Sequence, residues 1–454
     1  MTELLYLGCS AAFIVGLKRM SGPRTARSGN LLAGVGMLGA VVITLIAESI
    51  VTWGTIVAGV AVGAALGAWA ALRVKMTSMP QMVAAFNGFG GLASALVAAW
   101  EVVQAEAVDL PIETALSVIL TILIGSVTFT GSFMAYAKLE ELVPGRPIQF
   151  PGQQVVNGVL TLGAVGAAIW TLTSGEAVGF WILGGIALVI GILAVLPIGG
   201  ADMPVVISLL NSFSGLAGAT AGFVISNNAL IIGGALVGAA GFILTVQMCE
   251  AMNRSLANVL FAGFGSAGSG HTAEMSGRPV NQATADDVAI ALGYADSVMI
   301  VPGYGLAVAQ AQHATRLLAT ALEERGARVH YAIHPVAGRM PGHMNVLLAE
   351  ADVPYDQLLD LEQADPQLPQ TDAVLILGAN DVVNPSARDD PGSPIYGMPI
   401  FNVDRARTVV VVKRSLAPGF AGIDNPLFYN ENTLMYFADA KKALEDTLAA
   451  LDDV

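Results

Sequence analysis

The sequence predicts a multi-pass α-helical membrane bundle followed by a cytoplasmic α/β domain, a Rossmann-like, doubly wound parallel sheet. Three observations carry this reading. About nine long apolar runs fill the first 250 residues, each near the roughly 20 residues that cross a bilayer core. Threaded as alternating crossings, they place Lys18, Arg19, Arg24, Arg27, Arg73, Lys75, Lys138, Arg146 and Arg254 on one side, and Glu48, Glu101, Glu106, Asp109 and Glu176 on the other. Basic loops stay cytoplasmic, so the N-terminus is expected outside and everything after Arg254 inside. Finally, short apolar runs alternate with helical patterns from Asp286 onward.

The runs read as helices over Glu3–Leu17, Asn30–Ala47, Gly54–Leu72, Pro80–Trp100, Glu113–Ala137, Val155–Thr173, Val178–Leu196, Met203–Ile225 and Ala229–Cys249. Glycine and alanine saturate several of them, as in Gly233-Gly234-Ala235, and small residues let helix backbones approach closely in lipid. The expected organisation is a transmembrane domain over 1–252, a linker over 253–285 rich in glycine and serine, and a nucleotide-binding domain over 286–454. Thr284 with Asp286 and Asp287 resembles a capped helix start. Strands are expected at Val298–Val301, Arg328–Ile333, Asp372–Leu377 and Thr408–Val412. Helices are expected over Gly305–Arg325 and Asn432–Leu451.

Composition excludes several function classes. A formal charge of −14 argues against nucleic acid, which requires a basic surface. Two cysteines, both inside apolar runs, supply neither a disulfide framework nor a zinc site. The N-terminal run carries Glu3 and ends in Lys18-Arg19, which is not the pattern of a cleavable signal peptide. The five histidines show no metal-ligand clustering and read as surface or structural residues.

The strongest local motif is Gly303-Tyr304-Gly305-Leu306-Ala307-Val308, after an expected strand and at the start of an expected helix. Glycines there permit a tight turn and let backbone N–H groups approach a pyrophosphate. The second strand ends in Ile333-His334-Pro335, without the acid that accepts from the ribose of NAD. Lys413-Arg414-Ser415 follows a later strand, and two cations plus a hydroxyl suit a 2′-phosphate, favouring NADP. Gly378-Ala379-Asn380-Asp381 ends another strand. Asp381 either shapes a turn or, beside an anionic cofactor, takes up a proton.

Within the membrane runs, Asn87 and Asn211 each follow a Met-Pro pair inside an apolar segment. A buried amide needs partners or water, so each serves either interhelical hydrogen bonding or a wet proton path. No histidine, lysine or carboxylate lies mid-span, which places titration nearer the surface, for example at Asp202.

These segments, with His334 through Asn345, Met203-Pro204-Val205-Val206 through Asn211-Ser212 and Met252-Asn253-Arg254, resemble the β subunit of the proton-translocating NAD(P) transhydrogenase along essentially the whole chain. The resemblance implies Si–Re-specific hydride transfer between NAD(H) and NADP(H), coupled to proton translocation across a plasma (inner) membrane. NADP(H) would be bound by Gly303–Val308, Val336, Ala337, Gly338, Arg339 and Met340. Gly378, Ala379, Asn380, Asp381 and Val382 would border it, with Lys413, Arg414 and Ser415 at the 2′-phosphate. Gly419 and Phe420 would belong to a lid, and Asp439 and Ala440 would lie near the other end of the cofactor. Asp381, Asn211, Asn87 and Asp202 would serve proton coupling. Two positions depart from the family pattern: Asn87 stands where many relatives have histidine, and Phe420 where they often have tyrosine. With one dinucleotide fingerprint in the chain, an alpha subunit carrying the NAD(H) site and further transmembrane helices is the expected partner, in a dimer of the whole complex. The rival reading is a channel or secondary carrier regulated by an NADP-sensing domain.

Overall fold

The computed structural model describes residues 2–20, 22–47, 53–75, 78–104, 110–144, 147–199, 202–252, 255–261, 279–339, 342–393, 395–419 and 421–454. The chain divides into two compact units, Met1–Val246 and Gln247–Val454.

The first unit is helical. Its elements are α1 (Thr2–Met20), α2 (Pro23–Ala47), α3 (Trp53–Arg73), α4 (Met79–Gln104), α5 (Ile112–Leu139), α6 (Gln153–Ser174), α7 (Ala177–Val195), α8 (Met203–Val224) and α9 (Asn228–Ala251). Among the described residues eight helices, α2 to α9, are long and apolar enough to cross a membrane. The first expected span is also helical, but α1 carries Glu3, Lys18 and Arg19 within its 19 residues. Three charges in so short a helix remove it from that set, and it packs along α2, where Tyr6 meets Thr44 through a 2.7 Å hydrogen bond.

Small residues set the helix spacing. A Cβ on Gly91 would lie 2.8 Å from Gly125 O, holding α4 against α5. A Cβ on Gly234 would lie 2.7 Å from Gly215 O and 2.8 Å from Ala219 Cα, so α8 and α9 meet backbone to backbone. The α8 helix is the most enclosed of the candidate spans, with 67% of its apolar window buried.

The second unit opens with α10 (Leu256–Phe261) and α11 (Ala285–Gly293). The glycine- and serine-rich run 262–270 lies outside the described residues. Thr284 caps α11 through a reciprocal box with Asp287. Then follow β1 (Ser297–Pro302), α12 (Tyr304–Ala309), α13 (Gln312–Glu324), β2 (Arg328–Ala332), α14 (His343–Glu350), β3 (Leu358–Leu359), α15 (Leu361–Ala364), β4 (Ala373–Leu377), α16 (Ser386–Asp389), β5 (Thr408–Lys413), β6 (Thr433–Phe437) and α17 (Ala440–Leu451). All strand pairs are parallel, in the order β3-β2-β1-β4-β5-β6. The order in which strands are added therefore reverses between β1 and β4, and open α/β sheets bind ligands at the carboxyl ends of such strands.

Two elements differ from the sequence expectation. The helix expected over Gly305–Arg325 is two helices, because Gln310 adopts a left-handed φ of 51° and closes α12. The helix expected over Asn432–Leu451 begins only at Ala440. The continuous apolar stretch Thr433–Phe437 instead pairs with β5 as the edge strand β6.

Replacing Gly234 by valine is expected to destabilise the bundle by about 1–3 kcal/mol through overpacking. Gly63→Ala, where an added Cβ meets nothing within 4 Å, should be silent. Thermal unfolding of both variants in detergent measures the contrast.

Candidate functional site

The parallel register decides where the polar residues of the second unit gather. Pro302 pairs with Leu377 at the ends of β1 and β4, so the turns that follow lie side by side. Gly303 N–H donates to Leu377 O at 2.9 Å and Gly305 N–H to Gly378 O at 3.0 Å. A Cβ on Gly303 would collide with the Ala379 backbone, and one on Gly305 would lie 2.6 Å from Gly378 Cα. Gly378 itself has φ +64°, a conformation that glycine adopts without strain. The glycines therefore let the two turns interlock, and two of their N–H groups are committed to the β4 turn rather than left open. The six-residue α12 behind them buries Leu306 and Ala307 and exposes Val308.

Beyond β2, residues His334–Arg339 lie at the same edge, where Arg339 meets Tyr304. His334 is buried, its Nε2 lies 2.8 Å from Pro399 O, and its Nδ1 accepts from Val336 N–H at 3.3 Å. Nε2 therefore carries the proton on a neutral ring. Burial pushes its pKa down to about 4, opposed by the Pro399 carbonyl. Ala337 is buried, Gly338 takes φ +100°, and the His343 side chain occupies the space a Cβ on Gly338 would need. The Arg339 guanidinium lies 4.4 Å from the Tyr304 ring centroid, and Arg339 N–H donates to His343 Nδ1 at 3.1 Å. Met340 lies outside the described residues.

At the end of β4, Asp381 Oδ2 accepts from Ala421 N–H at 3.0 Å, and a Cβ on Gly419 would lie 2.9 Å from Asp381 Cγ. The segment after β5 thus folds directly onto Asp381 and Asn380, with Val382 buried beneath. Asn380 Nδ2 is buried without a hydrogen-bond partner in the structure, a donor that a bound polar group would satisfy. Lys413 turns inward: its Nζ donates to Ala417 O at 2.7 Å and lies 4.8 Å from the Phe428 ring centroid. Burial lowers its pKa, while Asp381 and Asp424 pull it back up. Arg414 and Ser415 are exposed. Phe420 lies outside the described residues. Asp439 caps α17 by accepting from Lys441 N–H at 3.1 Å, with Ala440 buried next to it.

Asn425 is a residue that no motif announced. It is fully buried, and its Nδ2 donates to both Asn380 O (3.2 Å) and Asn380 Oδ1 (3.0 Å). It fastens the far end of the segment over Asp381; Asn425-Pro426 signals only a turn.

In the first unit, Asn87 Nδ2 donates to Ser132 Oγ at 2.9 Å, and Ser214 Oγ donates to the Asn87 carbonyl at 3.1 Å. These bonds tie α4, α5 and α8 together. Asn211 lies one turn before Ser214 on α8, its amide against Gly241 of α9. Around it Ser212 bonds Gly238 O at 2.6 Å and Ser208 bonds Gly241 O at 3.1 Å. Asp202, just before α8, is buried. The described residues contain no group of three or more His, Cys, Asp or Glu able to hold a metal ion.

Comparison with known proteins places this architecture. Residues 2–450 match the family described as NAD(P) transhydrogenase beta subunit. The chain belongs to that family. Two curated relatives, each named NAD(P) transhydrogenase subunit beta, come from Rhodospirillum rubrum and from a designated strain of that organism. Each is 45% identical over 460 residues, covering 100% of this chain and 99% of its own length. Membership makes the protein a transhydrogenase subunit, whose enzyme uses NAD(H) and NADP(H) and includes an alpha subunit.

His334 yields a prediction on pH. Its folded pKa of about 4 lies below the ordinary value of 6.5, so the unfolded chain binds the proton first as pH falls. Stability of this unit is full above pH 6.5 and is lost on acidification toward pH 4, by about 3 kcal/mol. His334→Gln should flatten that dependence, as followed by denaturant unfolding of the chain at several pH values.

Proposed function

We propose that the Gln247–Val454 unit binds NADP(H), that an alpha subunit presents NAD(H), and that hydride transfer between them is coupled to proton passage through the Met1–Val246 unit. The observation that carries this reading is the interlocked glycine turn at the β1/β4 reversal. Lys413, Arg414 and Ser415 stand on the neighbouring β5 end at the same sheet edge. The residues fit the cofactor: Asn380 offers a buried donor without a partner, and Arg339 and Arg414 supply cations for its phosphates.

In this reading Gly303–Val308 face the pyrophosphate, with Val336–Met340, Gly378–Val382 and Asp439-Ala440 around it. Lys413, Arg414 and Ser415 take the 2′-phosphate, and Gly419 and Phe420 belong to the lid. Bound NADP(H) supplies the hydride chemistry; the protein aligns the two nicotinamides and excludes water.

Coupling rests on Asp381. Its ionised Oδ2 accepts from Ala421 N–H and so holds the lid segment down. A proton on that oxygen removes the acceptor and loosens the lid, which links protonation to cofactor affinity. Asn87, Asn211 and their serine neighbours, with Asp202 at the start of α8, form the polar route through the bundle. One charge crossing 100 mV is worth about 2.3 kcal/mol, enough to move a binding equilibrium roughly 50-fold. The basic loops orient the chain with its N-terminus outside and its nucleotide unit in the cytoplasm of a cell with this protein in its plasma (inner) membrane. The transfer is of the Si–Re kind, in a dimer of the whole complex.

The double variant Lys413→Ala/Arg414→Ala is expected to weaken NADP(H) binding about 10- to 100-fold, while leaving NAD(H) binding to the complex intact. Titration calorimetry with each nucleotide reads this directly. Reconstituted vesicles should change internal pH during transhydrogenation, with a sign that follows reaction direction. Hydride transfer at full rate without any pH change would defeat the coupling.

A further inference from the structure

The buried amide of Asn425 can face only one way. Its Oδ1 accepts from Leu427 N–H at 3.0 Å, and its Nδ2 donates to the Asn380 carbonyl at 3.2 Å. Both partners are backbone groups, a fixed donor on one side and a fixed acceptor on the other. Exchanging the two ends of this amide would lose both bonds. Asn384 holds the preceding residue in the same manner. Its Nδ2 donates to Asp424 O at 3.1 Å, and its Oδ1 accepts from Ser386 N–H at 3.0 Å. Asn384 and Asn425 are both fully buried.

The orientation of Asn425 passes to Asn380. Asn425 Nδ2 also donates to Asn380 Oδ1 at 3.0 Å. A rotated Asn380 amide would set two donors against each other, so Asn380 must turn its own Nδ2 away from Asn425. That Nδ2 is buried without a hydrogen-bond partner in the structure. A Cβ on Gly419 would stand 2.9 Å from it, so glycine at this position keeps the lid side open.

Asn384 and Asn425 thus spend both ends of their amides on the protein, whereas Asn380 spends only one. Leaving a buried donor unpaired is costly unless a ligand completes it. Asn380 follows β4, which lies between β1 and β5 in the sheet, at the edge where open parallel sheets take their ligands.

We propose that Asn425 is a positioning residue for NADP(H): it orients the Asn380 amide so that Nδ2 donates to an acceptor oxygen of the cofactor. The inference rests on the NADP(H) reading above and deepens it by naming what makes one contact ready. The bonds from Leu427 N–H through Asn425 to Asn380 are complete within the protein. Binding therefore does not have to order this donor.

The test measures NADP+ and NADPH affinity by titration calorimetry on the full-length chain assembled with its alpha subunit. The variants are Asn425→Ala, Asn425→Asp, Asn380→Ala and the double variant Asn425→Ala/Asn380→Ala, with NAD(H) binding as the check of assembly. Asn425→Ala frees the Asn380 amide to rotate. Asn425→Asp replaces the donor by an acceptor that draws Asn380 Nδ2 toward itself. Each should weaken NADP+ and NADPH binding about 10-fold, and Asn380→Ala should do the same. The double variant should bind within about twofold of Asn380→Ala, because the main effect of Asn425 runs through that amide. Should Asn425→Asp not assemble, the alanine cycle decides alone. Losses that multiply in the double variant overturn the inference, since they would make Asn425 a fastener of the backbone only. Wild-type affinity in Asn380→Ala or in Asn425→Ala overturns it as well. A wild-type complex that binds NAD(H) but not NADP(H) would instead defeat the proposed function itself.

Discussion

Gly303, Gly305 and Gly378 approach one another so closely that none has room for a Cβ, and the Gln247–Val454 unit is organised around that contact. It joins the β1 and β4 ends at the point where the strand order reverses. Backbone hydrogen bonds from Gly303 and Gly305 lock the two turns. Everything else at the edge is placed relative to this junction: Asp381 follows the β4 turn, Tyr304 starts α12, and the Arg339 loop packs on Tyr304.

On that frame sits an electrostatic arrangement with little slack. Lys413 is half-buried, with Asp381 and Asp424 acting on its charge, and the Ala421 backbone N–H donates to Asp381. Asn425 fastens the other end through Asn380, so a change of charge at Asp381 bears on both ends of the segment. The bundle follows the opposite logic. Several of its amides and hydroxyls bond to one another or to backbone carbonyls across α4, α5, α8 and α9, as burial away from water favours. Among the described residues its buried charged side chains are Lys138 and Asp202.

Much of this was legible in the sequence because length and periodicity are local properties. Eight spans, the Thr284 cap and four strands follow from apolar runs and turn residues alone. The errors have physical causes. Gln310 breaks the helix after the glycine turn in a left-handed conformation that no glycine or asparagine announces. Thr433–Phe437 lacks an alternating pattern, since pairing with β5 rather than a polar face makes it a strand. At the site, the motif positions were readable because parallel topology sends all strand ends to one edge. The inward turn of Lys413, the neutral His334 and the Asn425 latch depend on tertiary neighbours far apart in sequence. Lys138 reads as an ordinary flanking cation until its burial is known.

The central claim is that nucleotide affinity and proton movement are one equilibrium. The most direct measurement is the dissociation constant for NADPH of complex oriented in sealed vesicles, at zero potential and at about 100 mV. A shift approaching 50-fold, reversing when the potential is reversed, is the expected result. An affinity indifferent to potential, in complex that still exchanges hydride, would contradict it.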